Sequence, residues 1–413
     1  MTRSMTRRSL VKTAAGAAAI SVAAPTFLRH ASAQDAVTLT WWDYFDNPNG
    51  PVLEAQLASY KEVAPNVTIE RTYIPFADLK QKMLQGAAAG DLPDIIIIDN
   101  PDHQAFASLG VLEDVTDRVT AWGQGASYFE GPWNSTVFQG KNYGIPDNSN
   151  CLVLWQNDDL LTAKGVTTPT TWDELTAAVT ALSENDVYGL AVSGVKSEEG
   201  TFQWLPFLWE TGADIPTIDS EGGHKALQLW TDYVANNWMS KAILNWGQAD
   251  VLGQFQNGKA AMMVNGPWQI PVIRADTPDL KWTVATLPVE TQGASILGGE
   301  NAAIVAGSPN VDAAWELLLW RQTDEPLKKY LLDAGKLPSR ADLAQDEAWT
   351  GDPVINVFIE QLKVAKPRAY GDQYPDISAA IQDAIQAAVS GESTVEEALA
   401  KAQSVITPLL PEA

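Results

Sequence analysis

Apolar runs of strand length alternate with amphipathic runs of helix length through most of this chain. Val37-Thr38-Leu39-Thr40-Trp41-Trp42 alternates as a first strand, residues 43–49 form a polar, aromatic turn, and the spacing over 51–63 predicts a helix. A second strand over 67–73 leads to an Ala-rich helix over 76–89 that Gly90 closes. Asp94-Ile95-Ile96-Ile97-Ile98-Asp99 is the continuous apolar run of a central strand. The order β-α-β-α-β predicts a parallel sheet, whose right-handed crossovers bring the strand carboxyl ends to one edge. Asp99 and Asn100 then lie beside the turn that starts at Trp41.

A second series follows. Residues 151–155 read as a strand, Thr171-Trp172-Asp173-Glu174 caps a helix to about 182, 187–192 is a strand, and 202–211 and 225–236 read as helices. After a strand over 282–287, Ile296-Leu297-Gly298-Gly299-Glu300-Asn301 is a glycine turn entering another apolar strand. Helices over 311–321, 326–334, 354–364, 377–389 and 395–405 finish the chain, and no repeat of solenoid period is present. Between these series, residues 142–150 carry the Gly, Pro and Asn of a crossing between domains.

One stretch has the pattern of a site. In 255–268, Asn257-Gly258 suits a reversal needing positive φ, Ala260-Ala261-Met262-Met263-Val264 suits a strand buried on both faces, and Pro267 suits a first helical turn. Trp268 then stands at a strand's carboxyl end, where open α/β sheets bind ligands and an indole face is a platform for an apolar ligand face. The competing reading is plain core packing.

Composition narrows the class. Thr6-Arg7-Arg8-Ser9-Leu10-Val11-Lys12, an Ala-rich apolar segment and Ala31-Ser32-Ala33 before Gln34 form a twin-arginine export signal over residues 1–33. Its apolar segment is short of the roughly 20 residues a bilayer span requires. Removing it takes away Arg3, Arg7, Arg8, Lys12 and Arg29 and no acid, so the formal charge moves from −24 to −29. Such a charge argues against nucleic acid or anionic lipid as a partner. The single Cys151 excludes an intramolecular disulfide, so stability rests on a large core, and about 380 mature residues predict two domains. Sixteen tryptophans, many beside turn residues, leave ring faces available to a ligand.

Five motifs then carry a resemblance: Tyr143-Gly144-Ile145-Pro146 before an apolar strand, the stretch 255–268, Leu297-Gly298-Gly299, Gly335-Lys336-Leu337-Pro338-Ser339-Arg340, and Ser390-Gly391-Glu392-Ser393-Thr394-Val395-Glu396-Glu397-Ala398-Leu399. In this order and spacing they resemble the extracellular solute-binding proteins of ABC importers, in the family-1 sugar-binding group that includes maltose-binding proteins. The resemblance implies a two-lobed α/β periplasmic binding protein fold of type II, each lobe a mainly parallel sheet flanked by helices. It also implies lobes of about 34–145 plus 295–338 and 146–294 plus 339–413, with hinge crossings near Gly144-Ile145-Pro146, Gly293 and Pro338. The expected partners are a carbohydrate and the permease subunits of a membrane importer. No cofactor or metal is expected, and the chain is expected to be a periplasmic or extracytoplasmic monomer.

Sugars present apolar ring faces and a girdle of hydroxyls, so a site requires aromatic platforms and paired polar groups. Trp268 is the expected platform, and Asp99 matches a family position that binds hydroxyls, with helix capping as its alternative. Asn148 and Asn150 fall where the family places cleft residues, Gly299 permits close backbone approach, and Arg368 matches a late basic position. Glu300 stands where maltose-type members carry an aromatic, a departure that disfavours a maltodextrin. Alternation sends one of Trp41 and Trp42 toward the cleft beside Asp43 and Tyr44; Tyr73, Trp209 and Trp246 complete the candidates.

Enzyme signatures are thin. Only His103 and His224 remain after signal removal, no His-Glu-x-x-His or Gly-x-Ser-x-Gly is present, and Ser193-Gly194-Val195-Lys196 lacks the companions of Ser-x-x-Lys enzymes. A secreted hydrolase using two of Asp43, Asp99, Glu210 and Glu300 is the alternative class. Within the same fold, Asp99 with Glu300 would suit a polyamine, and Arg368 an anion such as glycerol phosphate.

Overall fold

Residues 35–411 are described by a computed structural model, and the export segment read over 1–33 lies outside them. Two sheets organise the chain. Their strands, in chain order, are β1 (Val37–Asp43), β2 (Val67–Tyr73), β3 (Ile95–Asp99), β4 (Ile145–Pro146), β5 (Val153–Asn157), β6 (Tyr188–Ala191), β7 (Ala260–Asn265), β8 (Trp282–Ala285) and β9 (Glu300–Ile304). The first sheet has the order β2-β1-β3-β9-β4 and the second β8-β5-β7-β6.

β1 is parallel to β2 and to β3, as β-α-β connections require, whereas β9 is antiparallel to both β3 and β4. In the second sheet only β6 and β7 run parallel, and β5 is antiparallel to β7 and β8. The pairing is therefore mixed where a mainly parallel one was expected. The reason is connectivity: β5 and β9 are entered directly from segments that pass between the sheets, so they start at the edge where their neighbours end. Registers show the result, with Glu300 opposite Asp99 and Val153 opposite Asn265. The carboxyl ends of β1, β2 and β3 and the amino end of β9 thus share one edge.

The helices that position this edge are α1 (Asn49–Ser59), α2 (Phe76–Ala89), α3 (Asn100–Ser108), α4 (Glu198–Glu210), α5 (Gln248–Gln256), α6 (Ile270–Asp276), α7 (Val311–Arg321), α8 (Asp324–Asp333) and α9 (Tyr374–Ser390). Most boundaries follow the periodicity. α4 is an exception: it begins at Glu198, four residues before the expected start, with Glu198 and Glu199 in its first turn, where negative charge suits the helix dipole.

Three segments run side by side near residues 149–150, 298 and 337–339, the first two leading from one sheet to the other. Ser149 and Leu337 exchange backbone hydrogen bonds at 2.8 and 3.0 Å, Asn150 and Gly298 do so at 3.0 and 2.9 Å, and the Ser149 and Ser339 hydroxyls lie 3.0 Å apart. These bonds satisfy buried backbone groups that no sheet reaches. No helix among the described residues is long and apolar enough to cross a membrane.

Candidate functional site

A cavity of about 530 Å³ opens at the shared edge. One wall comes from the first sheet. β1 ends at Asp43, whose buried carboxylate accepts 2.7 Å bonds from Arg71 Nε and Nη2 and a 2.8 Å bond from the Phe45 amide. This clamp turns the following chain so that Tyr44, Phe45 and Asp46 line the cavity while Asp43 does not. Tyr73, at the end of β2, is 45% exposed on the rim.

Glu300 begins β9 and also reaches the wall, but donors of the protein itself engage it. Tyr44 Oη donates to its Oε1 at 3.0 Å, Lys336 Nζ to its Oε2 at 2.8 Å, and the Asn148 amide to Oε2 as well. Burial, with the charges of Glu300 and Asp99, raises the Tyr44 hydroxyl well above the usual tyrosine range, so it stays a donor. Asn148 stands behind Glu300, buried and off the cavity wall. Gly299, at φ 138°, lets this turn approach within a distance of the Asn148 carbonyl that any Cβ would violate.

The facing wall comes from the second sheet. Asn257 caps α5 with Gly258 at φ 65° beyond it, and the Lys259 amide returns to the Gln254 carbonyl at 2.8 Å, so the chain reverses into the wholly buried β7. Gly266 and a short turn of Pro267–Gln269 then deliver Trp268 to the cavity. The indole lies back over Gly266, where an added Cβ would come within 1.8 Å of its six-membered ring. Phe202 of α4 meets it with ring centroids 6.4 Å apart. Asn150, from the first crossing segment, completes this side with a side-chain oxygen that has no hydrogen-bond donor.

Arg368 ties the two walls together. Its Nη1 and Nη2 fork onto Asp99 at 3.0 and 3.1 Å, Nη1 also reaches Glu198 at 2.6 Å, and Nη2 reaches Asn100 at 3.0 Å. The guanidinium sits 4.8 Å from the Phe202 ring centroid. Asp99 occupies the N-cap position of α3 yet makes no capping bond, so its carboxylate serves Arg368 and not the helix. Burial pushes the Asp99 carboxyl up to about 7, opposed by Arg368 and reinforced by Glu198. Burial works against the Arg368 charge, but Asp99 and Glu198 more than offset it and hold the guanidinium firmly protonated.

Other candidates lie elsewhere. Neither indole at the end of β1 lines the cavity: Trp41 is wholly buried under Arg321, and Trp42 packs on the opposite face with Lys82 over its ring. Trp209 is fully buried, donating from Nε1 to Asp214 at 2.8 Å, and Trp246 packs between core clusters. Glu210 accepts from Trp172 Nε1 at 2.7 Å away from the cavity. Phe45, Asp46, Phe76, Glu198, Glu199, Phe202, Gln248, Gln269 and Lys336 line the cavity without having been singled out in the sequence. The two glutamates carried a usable signal, an acidic pair ahead of an apolar run, and Lys336 lay inside a quoted motif. Among the described residues, no group of three or more His, Cys, Asp or Glu converges to hold a metal.

The chain is similar to known proteins over most of its length. An ABC-transporter solute-binding protein of Thermotoga lettingae, solved with α-D-tagatose, is 28% identical, with a TM-score of 0.85 over 91% of this chain and 100% of that one. Maltose-bound MalE3 of T. maritima is 25% identical, with a TM-score of 0.84 over 91% and 100%. The maltotriose-binding protein of Pyrococcus abyssi is 25% identical, over 74% of this chain and 67% of its own length. The fold is thus the MalE-like periplasmic binding protein fold. Residues 55–356 match the family described as bacterial extracellular solute-binding protein, and the chain belongs to that family.

Proposed function

We infer that this chain is the substrate-binding component of an ABC importer, which encloses a saccharide in the cavity at the sheet edges and delivers it to a membrane permease. The observation that carries the reading is the cavity itself. Its volume falls in the usual range of roughly 300–1,000 Å³ for small-molecule sites, and it combines aromatic walls, Trp268 and Phe202 facing Tyr44 and Phe45, with convergent polar groups. Indole and phenyl faces suit pyranose faces, while Asn150, Gln248 and Gln269 offer amides to hydroxyls. The tagatose and maltose complexes of the similar proteins support the same class.

The reading includes two lobes, about 34–145 plus 295–338 and 146–294 plus 339–413, hinged where the three crossing segments run together. Ligand then favours the closed arrangement by touching both walls at once. Trp268, Asp99, Glu300, Asn150, Tyr44, Tyr73, Gly299 and Arg368 serve the site, some through ligand contact and some, as with Glu300, by holding the wall. The export signal places the mature, monomeric chain outside the cytoplasm by the twin-arginine route.

The test is a thermal-shift and tryptophan-fluorescence titration over mono- and disaccharides, with chromatography of the sugar afterwards. A saturable shift with the sugar recovered intact is expected. Release of a hydrolysed product would instead establish the hydrolase reading.

A further inference from the structure

Among the described residues that line the cavity, Arg368 and Lys336 carry positive charge, and they differ in what they have left to give. Both terminal nitrogens of Arg368 are taken, Nη1 by Asp99 and Glu198 and Nη2 by Asp99 and Asn100. A lysine ammonium carries three N–H donors. That of Lys336 meets one protein oxygen, Glu300 Oε2 at 2.8 Å, and lies 4.0 Å from the Phe45 ring centroid. The carboxylate takes one donor and the ring face another, which leaves a third without a protein acceptor. Lys336 is 4% exposed, and the two groups that hold its ammonium line the same cavity, so an oxygen that meets the third donor comes from the cavity. A buried donor left unmet is costly, so a ligand that brings an acceptor there is favoured.

The backbone that carries this side chain is fixed on every side. Gly335, at φ 63°, closes α8, and the Lys336 amide returns to the Leu331 carbonyl at 2.8 Å. The Lys336 carbonyl accepts from Trp349 Nε1 at 3.3 Å, and the next residue, Leu337, exchanges backbone bonds with Ser149. The same turn packs on the facing wall. A Cβ on Gly335 would lie 2.7 Å from both the Pro267 carbonyl and Pro271 Cδ, which flank Trp268 in the chain. One packed segment therefore sets the Lys336 donor on one wall and abuts the turn that seats the indole platform on the other.

Building on the saccharide reading, we propose that Lys336 is a specificity-determining residue of this site: its free N–H donates to one hydroxyl oxygen of the sugar that lies on Trp268, with Glu300 as its counter-charge. A donor held in this way distinguishes a hydroxyl from a hydrogen at the ring position it reaches and is indifferent to the other positions. Glu300 acts through Lys336, by holding the ammonium at the wall. No covalent chemistry is involved.

The experiment is isothermal titration calorimetry of the purified chain at neutral pH with tagatose, glucose, galactose and maltose, each compared with its monodeoxy derivatives. For the tightest-binding parent, at least one deoxygenation is expected to weaken binding about tenfold, as the loss of a charged hydrogen bond does. Lys336→Met alone would strand the Glu300 carboxylate, so the variant is Lys336→Met combined with Glu300→Gln. In that double variant the penalty at one of those positions is expected to shrink to about twofold or less. A role confined to holding the wall would weaken parent and deoxy sugar alike and leave every penalty unchanged, which overturns the proposal while the saccharide reading stands. A wild-type chain indifferent to every single deoxygenation overturns it without any variant. Binding of none of the four parent sugars overturns the saccharide reading as well.

Discussion

Two buried arginines hold this molecule together by the same chemistry and with opposite consequences. Arg321, at the end of α7, is 1% exposed; its Nη1 donates to Asp147 and its Nε to Gln56 at 2.8 Å, with the guanidinium 5.0 Å from the Trp41 ring and 5.2 Å from that of Tyr330. Every one of those partners lies in or against the first sheet. Arg368, equally buried, joins Asp99 at the end of β3 to Glu198 of α4, which packs with the second sheet. The first cluster has no route to water short of unfolding. The second spans a cavity, so separation of its walls would hydrate both acids. Removing either arginine strands carboxylates, but those of Arg368 border the cavity, where separation of the walls would let water reach them.

The contrast is breakable, beginning with the largest effect. Arg321→Met strands Asp147 and is expected to cost about 3–5 kcal/mol of unfolding free energy, read by urea denaturation. Trp268→Ala removes the indole platform and is expected to weaken saccharide binding by about tenfold or more with folding little changed. Retained affinity would show that the ligand sits elsewhere. Arg368→Met is expected to cost only about 1 kcal/mol of stability while weakening ligand binding about tenfold, with small-angle scattering showing a more open chain. A stability loss matching that of Arg321→Met would erase the distinction.

Gly266→Ala tests the platform's seating, because the new methyl occupies space that the Trp268 ring fills. About a fivefold loss of affinity is expected from the displaced indole. The smallest effect is on pH. Asp99 stands near 7 in the fold against about 3.9 unfolded, so between those values the folded chain keeps a proton that the unfolded chain has released. Its contribution to stability is complete below about pH 4 and is lost as pH rises through 7. The Tm of the chain relative to Asp99→Asn should fall by a few degrees across that range, and a flat difference would show that Arg368 keeps Asp99 ionised throughout.

The strands and helices were largely legible because their signals are local. The run of four isoleucines before Asp99 needs burial on both faces, and Asn257-Gly258 needs a positive φ wherever the chain goes next. The turn at Trp268 and the close approach at Gly299 followed from the same reasoning. The sheets' mixed pairing was not legible, since it depends on where a crossing segment enters. Nor was the outcome at β1: alternation separated Trp41 from Trp42, but Arg321, 280 residues later in the chain, claims one ring, and the cavity takes Tyr44 and Phe45 instead.

The sequence by itself determined the elements, their order, the family's motifs and the residue types from which a sugar site is made, because periodicity, turn chemistry and composition act over a few residues. Only the tertiary structure decided which carboxylates are paired with cations. Glu300 and Asp99 stand out in the sequence, yet Lys336 and Arg368 reach them from distant segments. Charge pairing falls off over a few ångströms and is blind to separation along the chain, so the balance of charge in this cavity exists only once the chain has folded.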